Sequence, residues 1–263
     1  MSTTRPALVL IHGATLSGSM WAPLKRHLDP QFQVVTPDLP GHGSRCGERF
    51  TLQSAIDTVK RAVAALAPAP VVLVGDSLGG YTALSAAATL QQERLQGLVV
   101  GGCTGNIHKW PTALHFGGKV VVFKLMLALF GEHRLVASSA SKMRVMLSNE
   151  GGIAPEDVDA VLAGGISFRV FEQCVHALWG VDFLKQLQTI RRPVWLLNGQ
   201  KDHVMLRQEA SFLAAGPNVR SRHFECGHGV SLIHSRELAV LVNQLAAGSF
   251  WHPASSEVSE HRR

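Results

Sequence analysis

The sequence predicts an α/β fold, with a mostly parallel central sheet flanked by helices and a helical insertion. Short apolar runs alternate with segments of helical period from residue 7 to residue 100, which is typical of a parallel sheet covered by helices. Most of these runs are continuously apolar, as in strands buried on both faces. The alternation returns after residue 190, whereas the segment before it contains only helical patterns.

Each element of the core has its own pattern. The predicted strands are apolar runs, the last one alternating in character, at residues 7–11, 32–36, 71–74, 95–100, 193–197 and 220–225. The predicted helices repeat apolar residues at helical spacing, at residues 19–28, 51–66, 77–90, 207–215 and 231–247. We therefore expect residues 1–105 and 190–248 to form the core domain.

Residues 106–189 are expected to form the helical insertion. Within it, residues 120–130 are almost wholly apolar, and Pro155 followed by two acidic residues is typical of a helix first turn. Residues 249–263 are polar and unpatterned, so we expect a flexible tail. No internal repeat or linker divides the chain.

Composition and charge exclude several function classes. The chain has 263 residues, of which 46% are hydrophobic and 17% are charged, so it is globular rather than disordered. The net charge of +6 comes from scattered basic residues, without the run or stripe that a phosphate backbone requires. We interpret this charge as a mildly basic surface and predict no nucleic-acid partner.

The cysteines and apolar runs bear on location and cofactors. The four cysteines are far apart, which argues against a zinc site and fits a reducing cytoplasm. No signal peptide is expected. No stretch of about 18 apolar residues is evident, and residues 120–130 are too short to span a bilayer, so stable membrane insertion is not predicted. The spacing of His223, His228 and His234 matches no metal-ligand motif, and no metal or cofactor is predicted.

Residues 75–80, Gly-Asp-Ser-Leu-Gly-Gly, follow an apolar strand and open a helix. This G-x-S-x-G pattern in that context is typical of a nucleophile elbow, with Ser77 as the nucleophile. The sharp turn requires small neighbours, which Gly75 and Gly79 supply. The helix N-terminus favours developing negative charge at Ser77. A chance serine in a glycine turn is the alternative, and the flanking strand and helix disfavour it.

Serine is a weak nucleophile and requires a base. His228 stands between two glycines in the loop after the last predicted strand, at the same sheet end as Ser77. Asp202, in the loop after the strand at 193–197, is the candidate acid that orients the histidine. No carboxylate follows the strand at 95–100, the other place from which an acid could come. The alternatives are a surface histidine and a solvated loop acid.

A tetrahedral intermediate needs oxyanion donors, each worth on the order of 3 kcal/mol. The backbone N–H of Leu78, directly after the nucleophile, is one candidate, and the N–H of Ala14, after the first strand, is the other. His12 is predicted to support this loop and not to act as a base. Residues 17–19, Ser-Gly-Ser, lie close by and leave the second donor open.

In these residues and in their order along the chain, Ser77, Asp202 and His228, the chain resembles the α/β-hydrolase superfamily over nearly its whole length. It is most similar to small esterases, namely bacterial pimeloyl methyl ester esterases and plant methylesterases. The His-Gly-Ala loop with Trp21 downstream is similar to the latter. Asp76 departs from many relatives, which carry histidine there, and it places an extra carboxylate near the site.

The resemblance implies that residues 106–189 cap the active site and partly line an acyl pocket. Candidate pocket residues are Trp110, Phe123, Met126, Phe168 and Trp179. The alternative is that such residues simply pack the cap on the core.

The leading functional hypothesis is hydrolysis of a small or medium-sized carboxylic ester through an acyl-enzyme. Ser77 would attack the acyl carbon, and His228 would carry the proton from the serine to the leaving alcohol. Amide, lactone, thioester or carbon–carbon bonds could be cleaved by the same residues. From another class, a ligand-binding receptor of this fold with little turnover is the competing hypothesis.

Overall fold

The computed structural model describes residues 5–248, and its core is one parallel sheet of six strands in the order β2-β1-β3-β4-β5-β6. The strands are β1 (Ala7–Ile11), β2 (Val34–Val35), β3 (Val71–Asp76), β4 (Leu95–Gly101), β5 (Val194–Gly199) and β6 (Val219–Phe224). Each neighbouring pair is parallel. The predicted α/β class is confirmed, while the predicted tail lies outside the described residues.

Helices connect the strands, and between β4 and β5 they are the regular elements, joined by loops. They are α1 (Ala22–Lys25), α2 (Leu52–Ala65), α3 (Leu78–Ala87), α4 (Thr112–Phe130), α5 (Glu132–Asn149), α6 (Pro155–Ala163), α7 (Phe171–Leu178), α8 (Phe183–Leu187), α9 (His203–Leu206), α10 (Glu209–Leu213), α11 (Val230–Ile233) and α12 (Ser235–Ala246). Two short 3-10 helices lie at Gly18–Trp21 and Gly43–Arg45.

Several boundaries differ from the sequence prediction. The strand predicted at 32–36 is reduced to β2, because this edge strand pairs with β1 at only two positions. The helix predicted at 207–215 is shortened to α10, and the separate short helix α9 precedes it. The closing helix is divided into α11 and α12 at His234, whose backbone leaves the helical region at φ −109° and ψ 39°.

The core lies on both faces of the sheet, because successive residues of a strand point to opposite sides. Val9 and Leu73 belong to the layer that α2 and α3 complete. Leu8 and Val72 belong to the opposite layer, with α1 and α12. All four side chains are fully buried, so the loops at the carboxyl ends of these strands start from fixed positions.

Residues 106–189 contain five helices and no strand. Within this helical insertion, α4 and α5 pack on each other across a turn at Gly131, whose φ is +73°. In α6, Pro155 occupies the first helical turn with Glu156 and Asp157, as predicted.

Helix α4 corrects one expectation. It begins at Thr112 and continues through two glycines and Lys119, so it is longer than the apolar run at 120–130. With 19 residues and a mean hydropathy of 1.7, it is long and apolar enough to cross a membrane by length and composition. Only Thr112 and Phe116 are buried in it.

Candidate active site

Ser77 lies at the sharp turn between β3 and α3, with φ 52° and ψ −114°. This is a strained backbone for a residue with a side chain, and such strain is concentrated at functional sites. A Cβ on Gly75 would lie 2.2 Å from the carbonyl oxygen of Gly79, and a Cβ on Gly79 would lie 2.0 Å from that of Ile11. Only glycine fits at either position, which is the requirement that the sequence pattern predicted.

The structure brings Ser77, His228 and Asp202 together in hydrogen-bonding distance. His228 Nε2 lies 3.0 Å from Ser77 Oγ, and His228 Nδ1 lies 2.5 Å from Asp202 Oδ2. The three side chains come from loops at the carboxyl ends of β3, β6 and β5. With the Nδ1 proton donated to Asp202, Nε2 accepts from the serine hydroxyl, which is the geometry of base-assisted nucleophilic attack.

Asp202 is suited to remain ionised. Burial opposes the charge, but the hydrogen bond from His228, the charge of that ring and the N–H of Met205 outweigh it and lower the pKa of Asp202. A carboxylate at this place would stabilise the imidazolium that forms when His228 takes a proton.

His12 is a buried structural group beside the candidate oxyanion loop. Its Nε2 accepts from the N–H of Leu39 at 2.9 Å, so its Nδ1 donates to the carbonyl of Gly13, also at 2.9 Å. Burial and the neighbouring His42 lower the pKa of His12 to about 3. A neutral ring that fixes the chain at Gly13 matches the supporting role predicted for it.

The two candidate oxyanion donors lie beside the serine. Ala14, Ser77 and Leu78 line one small cavity. Leu78 is the first residue of α3, so its N–H has no partner within the helix. Among the described residues, no hydrogen bond uses the N–H of Ala14. Within residues 5–248, neither N–H is therefore taken by another acceptor.

Asp76 lies beneath this loop, fully enclosed by the protein. Its Oδ1 accepts from Ser231 Oγ at 2.6 Å, which ties the end of β3 to α11. Its Oδ2 lies 3.3 Å from the place that a Cβ on Gly13 would occupy. Burial raises the pKa of Asp76, with the nearby charge of His228 and the Ser231 hydrogen bond opposing it. The extra carboxylate noted in the sequence is thus a support of the site and does not face the cavity.

The cavity beside Ser77 has a volume of about 20 Å³, room for one or two water molecules. The core supplies its floor with Ala14, Ser77, Leu78 and Tyr81. The helical insertion supplies its walls, which are Ile107, Phe116, Phe171, Cys174, Val175 and Leu178. No charged side chain is among these lining residues, so the cavity suits an apolar group.

The structure does not bring the five predicted pocket residues to this cavity. Trp110 is 77% exposed at the edge of a separate polar cleft. Phe123 and Phe168 pack edge to face at 5.3 Å, and Met126 packs in the outer part of the insertion. Trp179 is half-exposed beside His108.

Of the wall residues, Phe171 is among the apolar residues that the resemblance assigns to the cap and its pocket, and the others were not predicted, although α7 carries a usable pattern. Its apolar residues 171, 174, 175 and 178 repeat at helical spacing and form one face, which is the face turned to Ser77. No comparable pattern in the sequence indicates that Phe116 faces the cavity, because apolar residues occur on all sides of α4.

Over residues 5–248, no group of three or more His, Cys, Asp or Glu side chains is arranged to hold a metal ion.

Comparison with known proteins gives a consistent result. The model of the alpha/beta hydrolase family matches residues 8–242. The pimeloyl-[acyl-carrier protein] methyl ester esterase of Stenotrophomonas maltophilia strain R551-3 is 31% identical over 263 residues, covering 92% of this chain and 93% of that protein. The esterase of the same name from Xanthomonas oryzae pv. oryzae strain MAFF 311018 is 33% identical over 217 residues, covering 76% and 78%.

Among solved structures, a thermophilic esterase from Thermogutta terrifontis has a TM-score of 0.72 at 18% identity, covering 94% of this chain and 91% of that one. This likeness shows the fold. The resemblance to bacterial pimeloyl methyl ester esterases, drawn from motifs alone, is confirmed by the relatives.

Proposed function

Since this chain belongs to the alpha/beta hydrolase family and is a hydrolase of ester bonds, we propose that Ser77, His228 and Asp202 perform the reaction. The observation that carries the proposal is the continuous set of hydrogen bonds from Asp202 through His228 to Ser77. A serine with strained backbone, a base at 3.0 Å and an ionised acid behind the base form the arrangement that acyl transfer requires.

The reaction follows from these positions. Ser77 Oγ attacks the acyl carbon while His228 Nε2 takes its proton, and the N–H groups of Ala14 and Leu78 stabilise the oxyanion. His228 then returns the proton to the leaving alcohol, which departs and leaves an acyl-serine. A water molecule activated by His228 hydrolyses the acyl-serine and restores the free serine.

We propose a carboxylic ester with an apolar acyl portion as the substrate. The apolar, uncharged walls around Ser77 support this, because a charged acyl group would lose its hydration there without a compensating partner. The relatives named above are methyl ester esterases, so methyl esters are the first substrates to test. The small cavity also favours short acyl groups unless Phe116 or Phe171 moves.

We propose that the helical insertion, residues 106–189, is a cap that selects the acyl group, since it supplies every wall residue of the cavity outside the floor. We also propose a cytoplasmic location. All four cysteines are free thiols, three of them buried, as expected in a reducing compartment.

The proposal is tested with a p-nitrophenyl ester series from acetate to octanoate. Ser77→Ala should lower kcat/KM at least about a thousandfold, because the acyl-enzyme can no longer form. Ser211→Ala, an exposed serine on α10, is the matched control and should keep full activity. A fluorophosphonate probe should label the wild type and the control, and should not label Ser77→Ala.

Equal turnover by the wild type and Ser77→Ala would refute the assignment of the nucleophile. Labelling of Ser77 by the probe without turnover of any ester would indicate a reactive serine with another substrate class, and lactones, thioesters and amides would then be tested. Neither labelling nor turnover would favour a binding protein of this fold.

A further inference from the structure

Helix α4 has an unusual outer surface. Leu114, Val121 and Leu125 recur at intervals of seven and four residues, and Val122 and Leu129, seven residues apart, lie beside them, so the five residues form one face of the helix. Each of these five side chains, called the apolar stripe below, is between 51% and 67% exposed. Contiguous exposed apolar patches of this kind mark interaction sites in soluble proteins.

The opposite face of α4 is held in the protein. Phe123 packs against Phe171 with ring centroids 4.8 Å apart, and Phe116 forms part of the cavity wall at Ser77. Lys124 is paired with Glu172 of α7 at 3.0 Å. A helix apolar all round is normally enclosed by protein or lipid, and this one has protein on one side only.

The neighbouring charges are positive. Residues 112–149, which form α4, its turn and α5, contain five basic residues and one acidic residue, a net charge of +4. The acidic residue, Glu132, is paired with Arg169. Arg134 and Lys142 are exposed on α5, and neither has an ion-pair partner among residues 5–248. Trp110, two residues before α4, is largely exposed, as amphipathic aromatic residues are at lipid headgroups.

We propose that the apolar stripe and the cations of α5 dock this protein on an anionic lipid surface, with α4 lying in the interface and not crossing it. Segments that bind membrane surfaces combine an apolar helix face with lysine and arginine. Here α4 supplies the apolar face and α5 supplies the cations. The inner face of α4, with Phe116, borders the candidate active site. An ester dissolved in the lipid would thus be held next to the cavity wall.

Two other occupants fit less well. A second copy would bring another +4 hairpin against the first, and the repulsion would oppose association. A protein partner would favour Tyr, Trp and Arg at the centre of the surface, whereas the stripe consists of leucine and valine.

The test is flotation of the full chain with phosphatidylcholine vesicles, with and without phosphatidylglycerol. The wild type should float only with the anionic vesicles, and salt should weaken the binding. The double variant Leu125→Asp/Leu129→Asp should lose at least about tenfold in binding. The control variant Leu213→Asp/Val240→Asp adds the same charge at two exposed apolar residues outside the helical insertion. It should float like the wild type.

Arg134→Glu/Lys142→Glu should remove the preference for phosphatidylglycerol. Ser77→Ala should float like the wild type, so failure of the esterase assignment would be distinguishable from failure of docking. Hydrolysis of a soluble ester by the stripe variant reports that it is folded.

Three results would overturn the proposal. One is absence of flotation with anionic vesicles. Another is a dimer in light scattering that the stripe variant converts to a monomer. The third is binding to a soluble acyl-carrier protein, lost in Arg134→Glu/Lys142→Glu, with no binding to vesicles.

Discussion

Two apolar helices of this molecule, α3 and α4, have opposite surroundings. All ten residues of α3 are buried between the sheet and its neighbours, and the helix begins directly after Ser77. Only two of the 19 residues of α4 are buried, although its composition is as apolar. Mean apolar composition therefore does not decide which of these two helices lies in the core.

The contrast corresponds to the two roles proposed above, placement of the reacting groups by the core and selection of the acyl group by the insertion. The loops that carry Ser77 and Asp202 extend from β3 and β5, which are almost wholly buried, and His228 follows the edge strand β6, whose two end residues are buried. The three side chains lie in hydrogen-bonding geometry. The helical insertion contacts the site through a few wall residues and leaves much of its own surface uncovered. Placement of catalytic groups needs a rigid support, whereas selection of an acyl group needs only a shaped surface.

The largest effect is expected from a pair of glycine substitutions that compares the two helices directly. Gly79→Ala in α3 would place its Cβ 2.0 Å from a backbone oxygen of β1, and it should destabilise the protein by more than about 3 kcal/mol. Gly117→Ala in α4 meets no atom within 4 Å and should stabilise that helix by up to about 1 kcal/mol. Urea unfolding of both variants measures the difference.

Similar unfolding midpoints for these two variants would contradict the contrast between a tightly packed core and a loosely surrounded α4. Activity of Gly117→Ala serves as the control that the insertion keeps its position.

A smaller effect is expected at the boundary between the two regions. Phe116→Ala removes one wall of the cavity, so kcat/KM for the octanoate ester relative to acetate should rise roughly tenfold. The ratio of two substrates in one preparation does not depend on the folded fraction. Leu114→Ala, on the exposed side of the same helix, should leave the ratio unchanged. An unchanged ratio in Phe116→Ala would show that the acyl group lies elsewhere.

The smallest effect expected is the pH-dependent contribution of buried Asp76 to the stability of the protein. Because burial raises the pKa of Asp76, its charged form opposes folding, and this cost develops as the pH rises above 3.8 through the folded-state pKa. Asp76→Asn keeps an acceptor for Ser231 and should raise Tm by a few degrees near neutral pH. The gain should disappear as the pH falls below 3.8, where Asp76 is protonated in both states. Thermal melts across this range check the sign.

A lower Tm for Asp76→Asn at neutral pH would contradict this account, because it would mean that the carboxylate charge itself stabilises the site. Ser231→Ala separates the two contributions, since it removes only the hydrogen bond to Asp76.

The parts of the molecule that could be predicted from sequence are those set by short-range constraints. The elbow is recognisable because a strand, two obligatory glycines and a helix must follow one another around Ser77. The loops of Asp202 and His228 are recognisable because one follows an apolar strand and the other a strand of alternating character, and the carboxyl ends of both strands lie at one sheet edge. These three residues were predicted to converge, and the structure places them in hydrogen-bonding contact.

The cavity walls could be predicted only as separate helix faces, such as the apolar face of α7, because which face contacts Ser77 depends on how the helices of the insertion pack on the core. Periodicity places Phe123 and Phe116 on nearby turns of one helix, but it does not tell which of them faces Ser77. The length of α4 was underestimated for a related reason: Gly117, Gly118 and Lys119 interrupt the apolar run in sequence without ending the helix.

The strand order has a consequence during synthesis. Ser77 and His228 are 151 residues apart, and β5 and β6 join the same side of the sheet last. At about 5–20 residues per second, roughly 8–30 s pass between translation of the serine and of its base. On the proposed assignment, the nascent chain over that interval carries the nucleophile without its base, so activity should begin only after the loop of His228 has been translated.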